Sequence, residues 1–171
     1  MKHRITTKGL SNAQRLRYFS SLALQFVHAA TQLENGNNVK QLQKITGWDL
    51  SVVESRLREL DDMGLVSFRD DGSCRVVEPF VHIDREEPEF KIFQQLWRAA
   101  ISARIHESDK MSPQDFHFTA LLICDHSTFA GLKENILKLI ENLAADLETA
   151  PNEAIHYLGV DLIPWRNSSS R

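Results

Sequence analysis

Within residues 39–77, a helical apolar spacing stops twice at a glycine and then gives way to an Asp-Asp-Gly turn between two β-prone runs. Val39, Leu42 and Ile45 recur at helical spacing after the start signal Asn37-Asn38, and Thr46-Gly47 ends that helix. Asp49 is placed to cap the next helix by accepting first-turn N–H groups, with Trp48 and Val53 at the spacing of a hydrophobic staple. Ser51 with Glu54 offers a competing capping box. From either start, Leu50, Val53, Leu57, Leu60 and Gly64 share one stripe, and Gly64 supplies an end residue that tolerates positive φ. Residues 65–68 and 74–77 then read as paired strands joined through Asp70-Asp71-Gly72. Helix, tight turn, helix and two-stranded ribbon in that order make a winged helix-turn-helix.

At about 100° per residue, the face of the second helix opposite its apolar stripe carries Ser51, Ser55, Arg58 and Asp62, flanked by Val52, Arg56 and Glu59. A helix entering the major groove reads base edges mainly with its N-terminal half. Ser51, Val52, Ser55 and Arg56 are therefore the candidate base readers, and Arg58, Arg69 and Arg75 the candidate phosphate contacts. Glu59, Asp61, Asp62, Asp70 and Asp71 lie on or near the same surface and would repel phosphates. Winged helices also serve as docking or dimerisation modules, so double-stranded DNA and a protein partner both stay open.

Charge bears on that choice. The 171-residue chain has a formal net charge of −3, but residues 1–83 hold 11 Lys and Arg against 9 Asp and Glu, while residues 84–171 hold 9 against 14. Only the first part would attract a polyanion, and there the cations concentrate near the N-terminus, at Lys2, Arg4, Lys8, Arg15 and Arg17. No apolar run approaches the roughly 20 residues of a membrane span, and the opening residues lack the apolar core of a signal peptide. A cytoplasmic protein is expected. Cys74 and Cys124 fall inside predicted strands and read as small buried residues rather than a disulfide pair.

Residues 11–34 predict one long helix, with Ser11 and Gln14 at capping-box spacing, and Asn35-Gly36-Asn37 closing it. His28 inside it reads as a hydrogen-bonded interface residue. Residues 79–89, acidic and containing Pro79 and Pro88, mark a linker. A helix follows with Phe93, Leu96, Trp97, Ala100 and Ile101 on one face, and Ser112-Pro113 breaks the chain after it. Residues 116–124 and 155–163 predict strands on either side of an amphipathic helix that Asp125 or Ser127 can cap, with Phe129, Leu132, Ile136, Leu139, Ile140, Leu143 and Leu147 in register. The expected class is α+β: a disordered basic arm over residues 1–10, a winged helix-turn-helix over 11–78, a linker, a helix-strand-helix-strand domain over 90–166 for dimerisation or sensing, and a disordered tail over 167–171. Two strands with open edges are too few for a sheet. Pairing across a twofold axis, in a homodimer, or addition of the wing would complete it.

The sequence Phe-Thr-Ala-Leu-Leu-Ile at residues 118–123, the long amphipathic helix, and Ile-His-Tyr-Leu-Gly-Val-Asp-Leu-Ile-Pro-Trp at residues 155–165 together resemble a family of uncharacterised bacterial regulator-like proteins. The resemblance extends back through the winged helix to Arg17. It implies a winged helix followed by a C-terminal domain of unknown function. It also implies that larger members carry a further repressor-type helix-turn-helix that this chain lacks, which would leave the remaining winged helix as a DNA reader or as a degenerate scaffold. It brings no ligand, reaction or site residue with it.

Signatures of chemistry are sparse. His117, Cys124, Asp125, His126 and His156 are the nearest approach to a metal set, but parallel strands would put His117 and His156 at one end and Cys124 and His126 at the other, so no metal is expected. No glycine-rich phosphate loop, nucleophile elbow or zinc motif occurs, and the sequence around Asp115 and Asp161 shows no recognisable paired-carboxylate pattern. The expectation is a dimeric, transcription-regulator-like DNA-binding protein without cofactor or enzymatic activity. The alternative is a protein-interaction module whose winged helix does not bind DNA.

Overall fold

The structure, a computed structural model, describes residues 9–79, 81, 83–107, 115–147 and 149–163. The arm cations Lys2, Arg4 and Lys8, the Ser112-Pro113 break, Pro164-Trp165 and the tail over 167–171 lie outside the described residues. The chain is mixed helical with a small two-stranded antiparallel sheet, an α+β composition.

Helix α1 (Asn12–Phe19) opens on the expected capping box: Ser11 Oγ accepts from the Gln14 N–H at 3.2 Å, and Gln14 Oε1 accepts from the Ser11 N–H at 2.9 Å. The single helix expected over residues 11–34 is instead two. The chain breaks at Ser20-Ser21 and restarts as α2 (Leu22–Ala30), whose N-cap Ser21 accepts from the Leu24 N–H at 3.3 Å. Serine hydroxyls bond backbone groups better at a helix end than inside a helix, which favours the break. Both short helices bury apolar residues in one core, Tyr18 and Phe19 from α1 and Leu24, Val27 and Ala30 from α2, so the apolar spacing conceals the interruption.

Helix α3 (Val39–Thr46) is capped by Asn38, which accepts from the Gln41 N–H at 3.1 Å. Gly47, at φ 70°, ends it, and with Trp48 and Asp49 forms the turn into α4 (Leu50–Asp62). Asp49 takes the expected N-cap position, but its carboxylate makes no capping bond; its main-chain carbonyl accepts from the Val52 and Val53 N–H groups instead. Trp48 meets Phe26 of α2, with ring centroids 5.8 Å apart. The end of α4 is a Schellman motif: the Gly64 N–H donates to Asp61 O at 2.8 Å and the Leu65 N–H to Leu60 O at 2.9 Å, while both leucines are buried. Gly64 sits at φ 72°, where a β-carbon is disfavoured.

Strands β1 (Val66–Phe68) and β2 (Cys74–Val76) pair antiparallel with Val66 opposite Val76, Ser67 opposite Arg75 and Phe68 opposite Cys74. Each is one residue shorter than expected. The hairpin is tied to the start of α3, because the Val39 N–H donates to Gly72 O at 2.9 Å and the Cys74 N–H to Asn37 O at 2.8 Å. Burial raises the Cys74 thiol pKa to about 11.

Helix α5 (Pro88–Glu107) packs on α1. Phe93 meets Phe19 edge-on at 5.7 Å, Trp97 Nε1 donates to Gln25 Oε1 at 2.6 Å, and Arg15 lies 3.0 and 3.3 Å from Glu87 and Glu89. The described residues among 1–109 and 152–155 form one compact unit, in which the Glu34 N–H donates to Asn152 O at 3.1 Å. Its buried polar centre is His28, 2% exposed, which lies 2.8 Å from the Tyr18 hydroxyl through Nδ1 and 2.8 Å from Glu78 O through Nε2. A carbonyl can only accept, so Nε2 carries the proton, Nδ1 accepts from the tyrosine, and the ring is satisfied while neutral.

The described residues among 110–151 and 156–171 form the second unit. Its helix α6 (His126–Leu147) is capped by Asp125, which accepts from the Thr128 N–H at 2.7 Å and the Ser127 hydroxyl at 2.9 Å; these bonds hold its carboxyl below the usual carboxylate range. The strands expected over 116–124 and 155–163 are not formed among the described residues. Apolar alternation favours a strand only when a neighbour takes its N–H and C=O groups and something covers its faces. Here Leu121 is 92% exposed, Ile123 is fully exposed, and Cys124, expected to be buried, is open to solvent. Among the described residues no helix is long and apolar enough to cross a membrane.

Two outcomes follow from this framework. Gly64→Ala forces a β-carbon into the left-handed region and is expected to cost about 1–2 kcal/mol in urea unfolding. Burial lowers the His28 pKa against the opposing pull of the Glu78 carbonyl, so the unfolded chain binds the proton first. Stability is then complete above the unfolded value of about 6.5 and falls as the pH drops through it. His28→Gln should lose stability at pH 7.5 and flatten this dependence; an unchanged slope would sink the assignment.

Candidate nucleic-acid interface

The rotation of α4 is fixed by burial of Val53, Leu57 and Leu60, none of which is exposed. At about 100° per residue, this leaves Ser51, Ser55, Arg58 and Asp62 on the outward face, and all four are exposed. Val52, 38% exposed, lies toward one flank, beside Arg56 and Glu59. The opposite flank meets the hairpin. Asp61 Oδ1 accepts from the Phe68 N–H at 3.1 Å, and the Arg58 guanidinium lies over the Phe68 ring, 5.4 Å from its centroid. A cation so placed gains from the negative face of the ring while staying open to solvent. The outward face of α4 and strand β1 therefore form one continuous surface.

The hairpin arginines Arg69 and Arg75 are both exposed. The turn between them is rigidified at Asp71, whose Oδ1 accepts from the Ser73 N–H at 2.8 Å. The Ser73 hydroxyl and N–H, with help from the Arg69 charge, hold the Asp71 carboxyl below its ordinary range. Asp71 is thus an ordering element of the turn as well as a negative charge near the surface.

Arg56, one of the candidate base readers, is engaged in an ion pair. Its Nη1 pairs with Glu59 Oε1, and its side chain is largely withdrawn from solvent. Glu59 Oε2 accepts from Arg17 Nε at 2.9 Å and lies 2.7 Å from Arg17 Nη2. One carboxylate thus engages two arginines, one from α1 and one from α4. The Arg56–Glu59 pair, three residues apart on a helix, is open to sequence reasoning; Arg17, 42 residues from Glu59, offers no local signal. Beside Arg56, a shallow open concavity of about 440 Å³ is lined by Ala23, Gly47, Trp48, Asp49 and Val52.

Of the seven residues singled out, the structure places Ser51, Val52, Ser55 and Arg58 on the accessible surface of α4 and Arg69 and Arg75 on or beside the hairpin, and it pairs the partly exposed Arg56 with Glu59. Among the described residues no group of three or more His, Cys, Asp or Glu is arranged to hold a metal ion. Searches against family models, curated proteins and solved structures found no match to this chain.

Proposed function

We propose that this chain is a transcription-regulator-like winged-helix protein that binds double-stranded DNA, with α4 as the recognition helix and β1–β2 as the wing. The observation that carries this reading is the continuous outward surface built from Ser51, Ser55 and Arg58 of α4 and the Phe68 strand, with Arg69 and Arg75 exposed on the adjoining hairpin. Two short helices joined through Gly47-Trp48-Asp49, with a hairpin immediately after the second, suit insertion of α4 into a major groove while the hairpin reaches the backbone. The protein acts in the cytoplasm as a homodimer, by binding rather than by catalysis. Dimerisation is assigned to the second unit, where Leu137, Leu139 and Leu147 of α6 are each more than half exposed and would gain from burial against a second copy.

A second reading is favoured by one specific count: residues 39–77 hold six Lys and Arg against seven Asp and Glu. Such a surface suits a protein partner better than a polyanion.

Fluorescence anisotropy against random and genomic duplexes at two salt concentrations separates the two. DNA binding should weaken steeply with salt, and Arg58→Ala, Arg69→Ala and Arg75→Ala should each lower affinity severalfold and reduce the salt slope by about 1 for every phosphate no longer neutralised. Affinity indifferent to all three changes would overturn the assigned surface. No retention of duplex at low salt, together with a protein partner recovered after nuclease treatment, would establish the second reading.

A further inference from the structure

We infer that Glu59 limits how tightly this surface binds a polyanion, by holding Arg17 and Arg56 in internal ion pairs; the inference rests on the DNA-binding reading above. Glu59 Oε2 engages Arg17 through Nε at 2.9 Å and Nη2 at 2.7 Å, and Oε1 engages Arg56 Nη1. The three charges sum to one positive charge where two are available. Their position matters, since Arg56 lies in the half of α4 that would approach base edges and its neighbour Val52 is on the accessible surface.

The two arginines are held unequally. Arg17 offers two nitrogens to one oxygen, whereas Arg56 uses Nη1 while its Nε is buried without a hydrogen-bond acceptor. An arginine held by one arm lacks the geometric reinforcement of a bidentate pair, so a phosphate that reaches the guanidinium competes with Glu59 for it. Such an exchange leaves the Glu59 carboxylate, stripped of a partner, beside the incoming phosphate. The like-charge repulsion then opposes the gain. Glu59 therefore works against phosphate binding in two ways, by occupying the cations and by penalising their release. The side chains of Arg17 and Glu59 are 49% and 27% exposed, so the cluster lies within reach of a ligand at the surface.

The test is Glu59→Gln, which keeps the shape and removes the charge, measured by anisotropy against one duplex over a range of salt. Affinity should rise about tenfold at low salt, and the slope of log K against log salt should steepen by about 1 to 2, one for each arginine that gains a phosphate. In an Arg17→Ala/Arg56→Ala background the same substitution should gain threefold or less, because no cations remain to release. Far-UV circular dichroism and melting check each variant, and Glu59→Ala, expected to shift affinity in the same direction, replaces the Gln variant if that melts below assay temperature. Duplex binding by the unaltered protein with no gain on Glu59→Gln overturns this inference and leaves the DNA-binding reading standing. An equal gain with and without the arginines overturns it too, since Glu59 would then act as bulk charge. Failure of both the unaltered protein and Glu59→Gln to bind any duplex overturns both.

Discussion

Which side of α4 meets water is decided by where Val53, Leu57 and Leu60 are buried, and most of the first unit is arranged around that burial. Helices α2 and α3 and strand β1 all pack on α4. Each fully buried leucine or valine side chain contributes about 1.5–3 kcal/mol, so turning α4 about its axis to present another face would forfeit several such terms at once. The Schellman motif at Gly64 then sets the direction of the chain leaving α4, and Leu65 and Val66 enter the same core at the start of the hairpin. Burial thus fixes the outward set Ser51, Ser55 and Arg58 by elimination. The hairpin contacts of Arg58 and Asp61 follow from that rotation and do not create it.

A second constraint is polar. The segment after β2 is held through its main chain: the Val77 and Glu78 N–H groups donate to Leu65 O at 2.9 and 3.1 Å, His28 binds the Glu78 carbonyl, and the Gln32 amide donates to Pro79 O at 2.8 Å. Gln25 joins three parts of the unit, donating to the Tyr18 and Phe19 carbonyls at the broken end of α1 and accepting from Trp97 of α5. The Ser20-Ser21 break takes the Tyr18 and Phe19 carbonyls out of a continuous helical ladder, and the Gln25 amide donates to both. What looks like a defect in a long helix is thereby the point at which α1, α2 and α5 are joined.

The parts of this architecture legible in the sequence are those governed by neighbours a few residues apart. Ser11 with Gln14, Asn38 before Val39, Gly47, Gly64 and Asp70-Asp71-Gly72 each carry their reason locally, and each does what its spacing indicates. The Ser20-Ser21 break was hidden because apolar periodicity survives it. Arg17 with Glu59 and Arg15 with Glu89 were hidden because 42 and 74 residues separate the partners. The segments over 116–124 and 155–163 failed for a different reason. Their alternation is real, but a strand belongs to a pair, and among the described residues no pairing forms there. Composition could register the apolar surface without showing what covers it.

Counting charges misleads about the outward surface in both directions. Of the seven acidic residues over 39–77, Glu59 is engaged by two arginines, Asp61 caps the Phe68 N–H and Asp71 caps the Ser73 N–H. A carboxylate that accepts from backbone N–H groups is partly compensated by their dipoles, so its field at a distance is weaker than its formal charge suggests. The cations are reduced as well, because Arg56 faces Glu59, while Arg58 keeps its charge over the Phe68 ring. On α4 and the hairpin, Glu54, Asp62 and Asp70 remain to oppose Arg69, Arg75 and the solvent side of Arg58, a balance close enough to neutral that nonspecific attraction to a duplex is small. Under the proposed DNA-binding reading, discrimination on such a surface would rest mainly on short-range contacts at Ser51, Val52 and Ser55, where shape and hydrogen bonding outweigh the net field.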